Sequence, residues 1–431
     1  MFDIIAKKSV IDGSFYAPPS KSEAHRALIC ASLCDDATRI SNIGTSDDIK
    51  ATKSVLCALC AKITEADENG ENKSVTAVFC RAQKKGRASA CESASTLRFL
   101  IPVAAALGSE FEFLLEGSLK KRPLDNYLCE LHRHGVSFAR SENSLSVSGK
   151  LCSGIYNIDS EISSQYVSGL LFALPLLSGD SEIHTAKTAN SSPYIDMTVD
   201  ILGKFGIVIE KTDHGYFIKG DQKYKSPNTI SVGGDYSGST NLLSLGIVDD
   251  NRVTCKGLFK NSLQGDIAVL DVLRKFGASV SVFEDTIEVC PHLHRGIDID
   301  VSKTPDLAML CAVLAATAEG KSRIVGTKRL KYKESDRAKN IVDMLKLLGA
   351  DITLCGDEID VCGVPKLHGG CVDSFGDHRL LMALVVASQF ADGDVTIKNG
   401  DCITKSYPDF LCDFSSLGGD FLAIKRNEGT V

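Results

Sequence analysis

One pattern recurs six times along the 431 residues, and it limits the fold more than any other feature of the chain. A helix-like stretch reaches a Leu or Phe, three residues pass, a Gly or Gly-like residue follows, and an alternating strand begins. The segments are LCALCAKI (56–63), LHRHGVSF (131–138), LGKFGIVIE (202–210), LRKFGASVSV (273–281), LKLLGADITL (345–354) and FSSLGGDFLAI (414–424). Their turn positions, Cys60, Gly135, Gly206, Gly277, Gly349 and Gly418, lie 69 to 75 residues apart. A second pattern falls between them: a very apolar helix, a short Gly or Asp turn, then a strand. It occupies 25–44, 99–117, 170–187, 241–257, 307–326 and 380–400. These helices are apolar nearly all round and should be buried, whereas companions such as DVLRKFG (271–277) carry one charged face and should lie at the surface.

Each unit is thus about 70 residues of α/β alternation, with one inner and one outer helix. A unit of that size cannot bury its apolar helix alone, so several must pack their inner helices together. The period is unlike those of the common solenoids, and two globular clusters of units are expected.

Charge and apolar run lengths exclude several classes. Lys and Arg total 48 against 55 Asp and Glu, a net charge of −7 that argues against coating nucleic acid by bulk charge. The longest apolar stretches, 99–107, 170–177, 307–318 and 380–391, fall short of the roughly 20 residues that cross a bilayer. MFDIIAKKSV places its apolar residues before its lysines, unlike a signal peptide, and a cytoplasmic location is expected. Sixteen cysteines are scattered, and Cys57 with Cys60 forms the one CxxC. They read as small buried hydrophobes in a reducing compartment rather than metal or redox ligands.

Chemistry collects where the apolar helices begin, since free N–H groups and a positive dipole end suit anions there. The six segments are PPSKSEAHR (18–26), CESASTLR (91–98), SEISSQYVSG (160–169), GGDYSGSTN (233–241), SKTPDLAM (302–309) and DSFGDHRLL (373–381). Capping by Ser, Thr and Asp explains one polar residue at each. It does not explain Arg26, Arg98 and Arg379, placed early in apolar helices where a guanidinium needs a partner, and a shared anionic ligand would supply one. Further cations stand at Lys120, Lys121, Arg122, Lys328, Arg329, Lys331, Lys333, Arg337 and Lys405. There is no GxxxxGK[ST] loop, and GGDYSG is not GxGxxG, so neither nucleotide motif is supported. The residues alone reach an α/β enzyme of six units that binds small anions.

Taken together, PPSKSEAHRAL, STLRFL, KRPL, SSQYVSGLL, PYIDMT, NSLQGD, KESDR, GDHR and TKSYPDF closely resemble the 5-enolpyruvylshikimate-3-phosphate synthase family, in order and over nearly the whole chain. The resemblance implies two domains, each of three βαβαββ units around a pseudo-threefold axis, inside-out barrel-like, with the active site in the interdomain cleft and closure around ligands. Residues 1–19 with 235–431 would form one discontinuous domain, and 20–234 the inserted one. The implied reaction transfers the enolpyruvyl group of phosphoenolpyruvate to the 5-hydroxyl of shikimate-3-phosphate and releases phosphate. It implies no metal, no organic cofactor and a monomer, with no nucleic-acid or membrane partner.

Residue by residue, Lys21 would bridge both substrates, Ser22 and Arg26 would grip shikimate-3-phosphate, and Ser163, Ser164 and Ser191 would hold its phosphate. Gln165 would face its ring with Tyr194 beneath, and Gln165 would also reach phosphoenolpyruvate. Arg122, Arg337, Arg379 and Lys405 would surround phosphoenolpyruvate, with Ala94 beside it. Asp306 would lie at the target hydroxyl and Glu334 at the methylene carbon, as acid–base groups, and Lys333 would stabilise the charged intermediate and touch the shikimate side. The hydroxyl proton would go to Asp306 or to Lys21. Two positions depart from the family's pattern. Arg329 stands where many members have Asn, and Ala94 where most have Gly, which should make the enzyme poorly sensitive to glyphosate. Two rivals are a UDP-N-acetylglucosamine enolpyruvyl transferase and a non-catalytic phospho-sugar-binding paralogue. The first is disfavoured by Lys21-Ser22 in place of Lys-Asn and by the lack of Cys in 115–123, the second by intact Asp306, Glu334 and Lys21.

Overall fold

The computed structural model describes residues 1–66, 74–158, 163–185 and 193–426. The chain divides into two compact units, one joining Met1–Pro18 to Gly234–Val431 and the other spanning Pro19–Gly233. Among the described residues twelve α-helices alternate in character. The apolar set is α1 (Lys21–Ala31), α3 (Ala94–Ala106), α5 (Ser164–Ala173), α7 (Tyr236–Ser244), α9 (Ala308–Thr317) and α11 (His378–Ser388). The companions are α2 (Asp47–Leu59), α4 (Asp125–Arg133), α6 (Pro193–Lys204), α8 (Val269–Phe276), α10 (Arg337–Leu347) and α12 (Phe410–Ser416).

Five of the six apolar helices begin with a side-chain cap. Ser20 Oγ accepts from the Glu23 amide, Ser93 from Thr96, Ser163 from Gln165, Asp235 from Gly238 and Asp377 from Arg379. The sixth, α9, starts from a 3-10 turn at Pro305–Leu307. Each α11 residue is buried, and α9 is buried from Ala308 to Ala316. In α8, by contrast, Val269, Leu270, Val272, Leu273 and Phe276 face inward while Asp271, Arg274 and Lys275 are exposed.

Six four-stranded sheets accompany these helices among the described residues. The simplest unit runs strand Lys85–Ser89, α3, parallel strand Glu110–Leu114, α4, then the hairpin Val136–Arg140 and Ser144–Gly149. That order is βαβαββ. The same order, with α5 and α6, runs from Ile155 to Ile218, and with α9 and α10 from Asp298 to Cys362. The other three sheets draw a strand from far along the chain. Asp12–Tyr16 pairs in parallel with Arg252–Lys256, so α7 serves as its crossover. Thr229–Ser231 pairs in parallel with Thr38–Ser41 and uses α1. Phe2–Lys7 lies antiparallel between Val395–Lys398 and Asp420–Lys425. All six sheets are open with two edges, so the barrel-like part of the expectation does not hold at the level of the sheets.

Each unit has its own hydrophobic core, built on α7, α9 and α11 in one and on α1, α3 and α5 in the other. Helices α3 and α5 approach closely because Gly169 lies between them. A Cβ there would stand 2.4 Å from the Arg98 carbonyl oxygen and 2.7 Å from the Tyr127 hydroxyl. The first obstacle is backbone and cannot swing aside. Gly169→Ala is therefore expected to destabilise this unit by about 1–3 kcal/mol, the usual range for overpacking. A urea midpoint equal to wild type would show that the two helices separate freely.

The turn positions behave alike with one exception. Gly135, Gly206, Gly277, Gly349 and Gly418 have φ from +76° to +103°, the left-handed cap that glycine tolerates. Cys60 has φ −160° instead, because the chain passes from α2 straight into the strand Ala61–Ala66 and needs no left-handed residue. The cysteines also differ from expectation. Cys30, Cys34, Cys60, Cys255 and Cys311 are buried, but Cys57, Cys80, Cys129, Cys152, Cys355, Cys371 and Cys412 are exposed. Several of these lie on outer helices and strands, where a small side chain is as well tolerated outside as in. No helix of the described residues is long and apolar enough to cross a membrane.

Candidate active site

The polar residues at the helix starts gather into one cluster in each unit. In the unit of Met1–Pro18 and Gly234–Val431, the cluster is built around Arg337, the first residue of α10, whose side chain is only 2% exposed. Its guanidinium meets three carboxylates. NH1 donates to Asp306 Oδ1 at 2.6 Å and NH2 to Glu334 Oε2 at 2.7 Å. Nε and NH2 reach the two oxygens of Asp377 at 2.8 and 3.1 Å, a bidentate pairing. Lys333 Nζ lies 3.2 Å from Asp306 Oδ1. Arg379 Nε stands 3.8 Å from Asp306 Oδ2, while its NH1 and NH2 groups donate to the Ser237 carbonyl and hydroxyl. Lys405, buried at the end of the 3-10 turn Gly400–Lys405, belongs to the same unit.

The electrostatics follow from these contacts. Burial opposes ionisation of Asp306, but Lys333, Arg337 and Arg379 outweigh it and hold the carboxyl well below the usual carboxylate range. Burial lowers Lys333, partly offset by Asp306. Arg337 is held firmly charged: burial works against it, and Asp377, Glu334 and Asp306 more than compensate. Asp266, fully buried in the NSLQGD stretch, is pushed up to about 6 by burial and by the Asp306 charge, against the hydroxyl of Ser237 and the charge of Arg379. The cluster thus keeps one carboxylate firmly ionised and a second poised near neutrality.

In the unit Pro19–Gly233 the cluster is organised by α1, α3 and α5. Lys21 Nζ contacts Asp48 Oδ2 at 2.7 Å. Arg26 donates from Nε to Thr198 Oγ1 at 2.8 Å, from NH1 to the Ser22 carbonyl at 2.6 Å and from NH2 to the Tyr194 carbonyl at 2.8 Å. Its guanidinium also stands 5.2 Å from the centre of the Phe99 ring. Arg98 NH1 donates to Gln165 Oε1 at 2.8 Å and to Ser163 Oγ at 3.3 Å, and Gln165 Nε2 donates to Ser95 Oγ at 2.7 Å. Both ends of the Gln165 amide are therefore fixed. Ala94 is the first residue of α3 and is 5% exposed. Ser164 opens α5, and Arg122 is buried just after the 3-10 turn Gly117–Lys121. Ser191 lies outside the described residues.

The structure brings Asp306, Lys333, Glu334, Arg337 and Arg379 into one cluster, and Ser22, Arg26 and Tyr194 into direct contact in the other. The need of Arg26 and Arg98 for partners is met in part by the protein itself, through carbonyls, hydroxyls and an amide, and Arg379 is met by Ser237 and Asp306. An anionic ligand is thus not their sole source of compensation. Residues without a role in the sequence reading also take part. Asp377 has no exposed surface, binds Arg337 and caps α11. Asp48 holds Lys21, and Ser237 and Asp266 flank Arg379. The signal for Asp377 was present, an acid immediately before an Arg-bearing apolar helix, but its partner lies 40 residues away.

A family model for EPSP synthase (3-phosphoshikimate 1-carboxyvinyltransferase) matches residues 5–414. The chain belongs to the EPSP synthase family. Among curated relatives, the 3-phosphoshikimate 1-carboxyvinyltransferase of Clostridium kluyveri is 40% identical over 414 residues, covering 95% of this chain and 96% of that one. The enzyme of the same name from Clostridioides difficile is 37% identical over 425 residues, with the same coverage. A solved EPSP synthase from Acinetobacter baumannii shares the fold with a TM-score of 0.81, at 21% identity, over 98% of this chain and 99% of that chain.

Proposed function

We propose that the chain is a 3-phosphoshikimate 1-carboxyvinyltransferase in which both clusters serve one addition–elimination reaction. The observation that carries the residue assignments is the sharing of Arg337 by Asp306 and Glu334, with Lys333 against Asp306. In the addition, the 5-hydroxyl of shikimate-3-phosphate loses its proton as its oxygen bonds to C2 of phosphoenolpyruvate, and C3 gains a proton. In the elimination, the bond from C2 to the phosphate oxygen breaks, phosphate leaves, and C3 gives its proton back. Glu334 exchanges the C3 proton, and Lys333 and Lys21 stabilise the charged tetrahedral intermediate. The hydroxyl proton goes to Asp306 or to Lys21. Three cations on Asp306 make it a weak base as it stands. It gains basicity when the substrate carboxylate and phosphate draw Arg337 and Arg379 toward themselves. Ser22, Arg26, Ser163, Ser164, Gln165, Ser191 and Tyr194 take shikimate-3-phosphate. Arg122, Arg337, Arg379 and Lys405 take phosphoenolpyruvate. The enzyme works as a cytoplasmic monomer.

The test is phosphate release with both substrates present. Release should require shikimate-3-phosphate, and UDP-N-acetylglucosamine should not replace it. Release with the nucleotide sugar alone as acceptor, or no release at all, would overturn the assignment.

The methyl group of Ala94 at the start of α3 bears on inhibition. An added methyl in a tight site costs on the order of 1–3 kcal/mol, or about 5- to 150-fold in affinity. Glyphosate, longer than phosphoenolpyruvate, meets that methyl group more closely. Ala94→Gly is expected to tighten glyphosate inhibition by at least about tenfold while the KM for phosphoenolpyruvate moves much less. If wild type is already inhibited as strongly as the Gly variant, the methyl group is not the obstacle.

A further inference from the structure

A chain of buried polar side chains runs beneath the start of α1. His25 is 1% exposed, and Thr52, Thr96 and Ser93 have no exposed surface. His25 Nδ1 lies 2.7 Å from Thr52 Oγ1, Thr52 Oγ1 lies 2.6 Å from Thr96 Oγ1, and Thr96 Oγ1 lies 2.8 Å from Ser93 Oγ. Thr52 Oγ1 also donates to the Asp48 carbonyl at 3.2 Å, and Thr96 Oγ1 reaches that carbonyl at 3.5 Å. One run of hydrogen bonds therefore ties α1, α2 and α3 together.

The run borders two functional positions. Asp48 is the residue whose carboxylate holds Lys21, and Ser93 is the cap on which Ala94 and α3 begin. His25 sits one helical turn after Lys21 on the same face of α1, next to Arg26. Its ring meets Phe99 edge-on with centroids 6.4 Å apart, and Arg26 lies over that same Phe99.

We propose that His25 is a positioning residue: as a neutral Nδ1–H donor it holds Thr52 and Thr96 against Asp48, and so fixes Lys21 and the start of α3. The tautomer follows from the other ring nitrogen. Nε2 is buried with no hydrogen-bond partner, and an unmet acceptor is a smaller cost than a buried unmet N–H. The hydrogen therefore sits on Nδ1, and Thr52 Oγ1 accepts from it at 2.7 Å. The one proton of the Thr52 hydroxyl is then left for the Thr96 hydroxyl at 2.6 Å or the Asp48 carbonyl at 3.2 Å. Burial also pushes the pKa of His25 down to about 3, with Asp48 raising it and Lys21 and Arg26 lowering it, so the ring stays neutral over the working range. No part of the chain then changes charge, and what it contributes is alignment.

The inference rests on the proposed transferase reaction, and the experiment separates the two. The full-length enzyme is compared with His25→Leu, His25→Asn, Thr52→Val and the His25→Leu/Thr52→Val double variant, with kcat and KM for both substrates measured well below each variant's unfolding midpoint. His25→Leu removes the donor, whereas Asn places an amide N–H where Nδ1–H stood. His25→Leu and Thr52→Val should each lower kcat/KM by about ten- to a hundredfold, the scale of a misplaced reacting group. The double variant should be no worse than either single one. Asn should recover activity to within a few-fold. Leu and Asn variants equally active with wild type, or equally impaired, would overturn the proposal. Should His25→Leu fail to fold, Thr52→Val carries the comparison, and a fully active Thr52→Val would also overturn it. A wild-type enzyme that releases no phosphate would instead count against the transferase reading.

Discussion

Glu334→Gln and Asp306→Asn should each lose about 10²–10⁴-fold in kcat, the scale of a missing general acid or base. The substitutions keep shape and remove proton capacity. Gln at 334 still offers Arg337 NH2 an oxygen where Glu334 Oε2 now accepts at 2.7 Å, so the first turn of α10 should survive. The loss should then sit in kcat rather than in binding, the signature of an interaction needed in the transition state. Asp306→Asn has a second consequence that tells the two variants apart. It removes the negative charge facing Lys333, Arg337 and Arg379. Those cations then meet an anionic substrate with less prior compensation, and phosphoenolpyruvate should bind at least as tightly as in wild type. Calorimetric titration alongside single-turnover kinetics separates these effects. Near wild-type turnover in either variant would remove that residue from the proton transfers.

How far the sequence could be read depended on the range of each interaction. The six units were legible because their signals are local: an apolar helix, a cap such as Ser93 or Asp377, a glycine such as Gly277 in the left-handed turn. The starts of the apolar helices were legible as places where caps and Arg side chains gather for the same reason. Which strands complete which sheet was not legible from the repeat. Asp12–Tyr16 finds its partner at Arg252–Lys256 and Thr229–Ser231 finds its own at Thr38–Ser41, and spacing within a 70-residue period carries no trace of a partner so far away. The same holds inside the site. Arg337 was placed next to Glu334 by three residues of sequence, but its pairing with Asp377 and Asp306 spans 40 and 31 residues. Arg26 was read as a cation awaiting an anion. The carbonyls of Ser22 and Tyr194 that occupy it are backbone groups, which no residue type announces. The exposed cysteines show the converse: a side chain that small gives almost no signal of which face it occupies.

The shared guanidinium leads to the largest expected change in stability. Arg337→Met should destabilise its unit by about 3–5 kcal/mol, the cost of breaking a buried ion pair from one side. Methionine fills a similar volume, so the loss is one of charge. Asp377, with no exposed surface, would lose both of its bonds to Arg337, and Asp306 and Glu334 would each lose a bond of 2.6–2.7 Å. Arg337→Lys should recover only part, since an ammonium cannot serve three carboxylates in one plane. The dependence on pH has a definite sign. The Asp306 carboxyl is held below its ordinary value in the folded chain. It therefore contributes stability that is present above the unfolded pKa, near 3.9, and is lost as pH falls through the folded value. Removing Arg337 erases part of that contribution. The gap in unfolding free energy between wild type and Arg337→Met should be widest near neutral pH and narrow progressively as pH falls from about 4 toward the folded value, where protonated carboxyls no longer need a cation. Adding Asp377→Asn to Arg337→Met should return part of the loss at neutral pH, because the most deeply buried unpaired charge is then gone. Urea titrations of the three proteins at pH 7 and about pH 2 measure all of this. A gap of equal size at both pH values, with no recovery on adding Asp377→Asn, would mean that Arg337 acts through packing and that the three carboxylates do not depend on its charge.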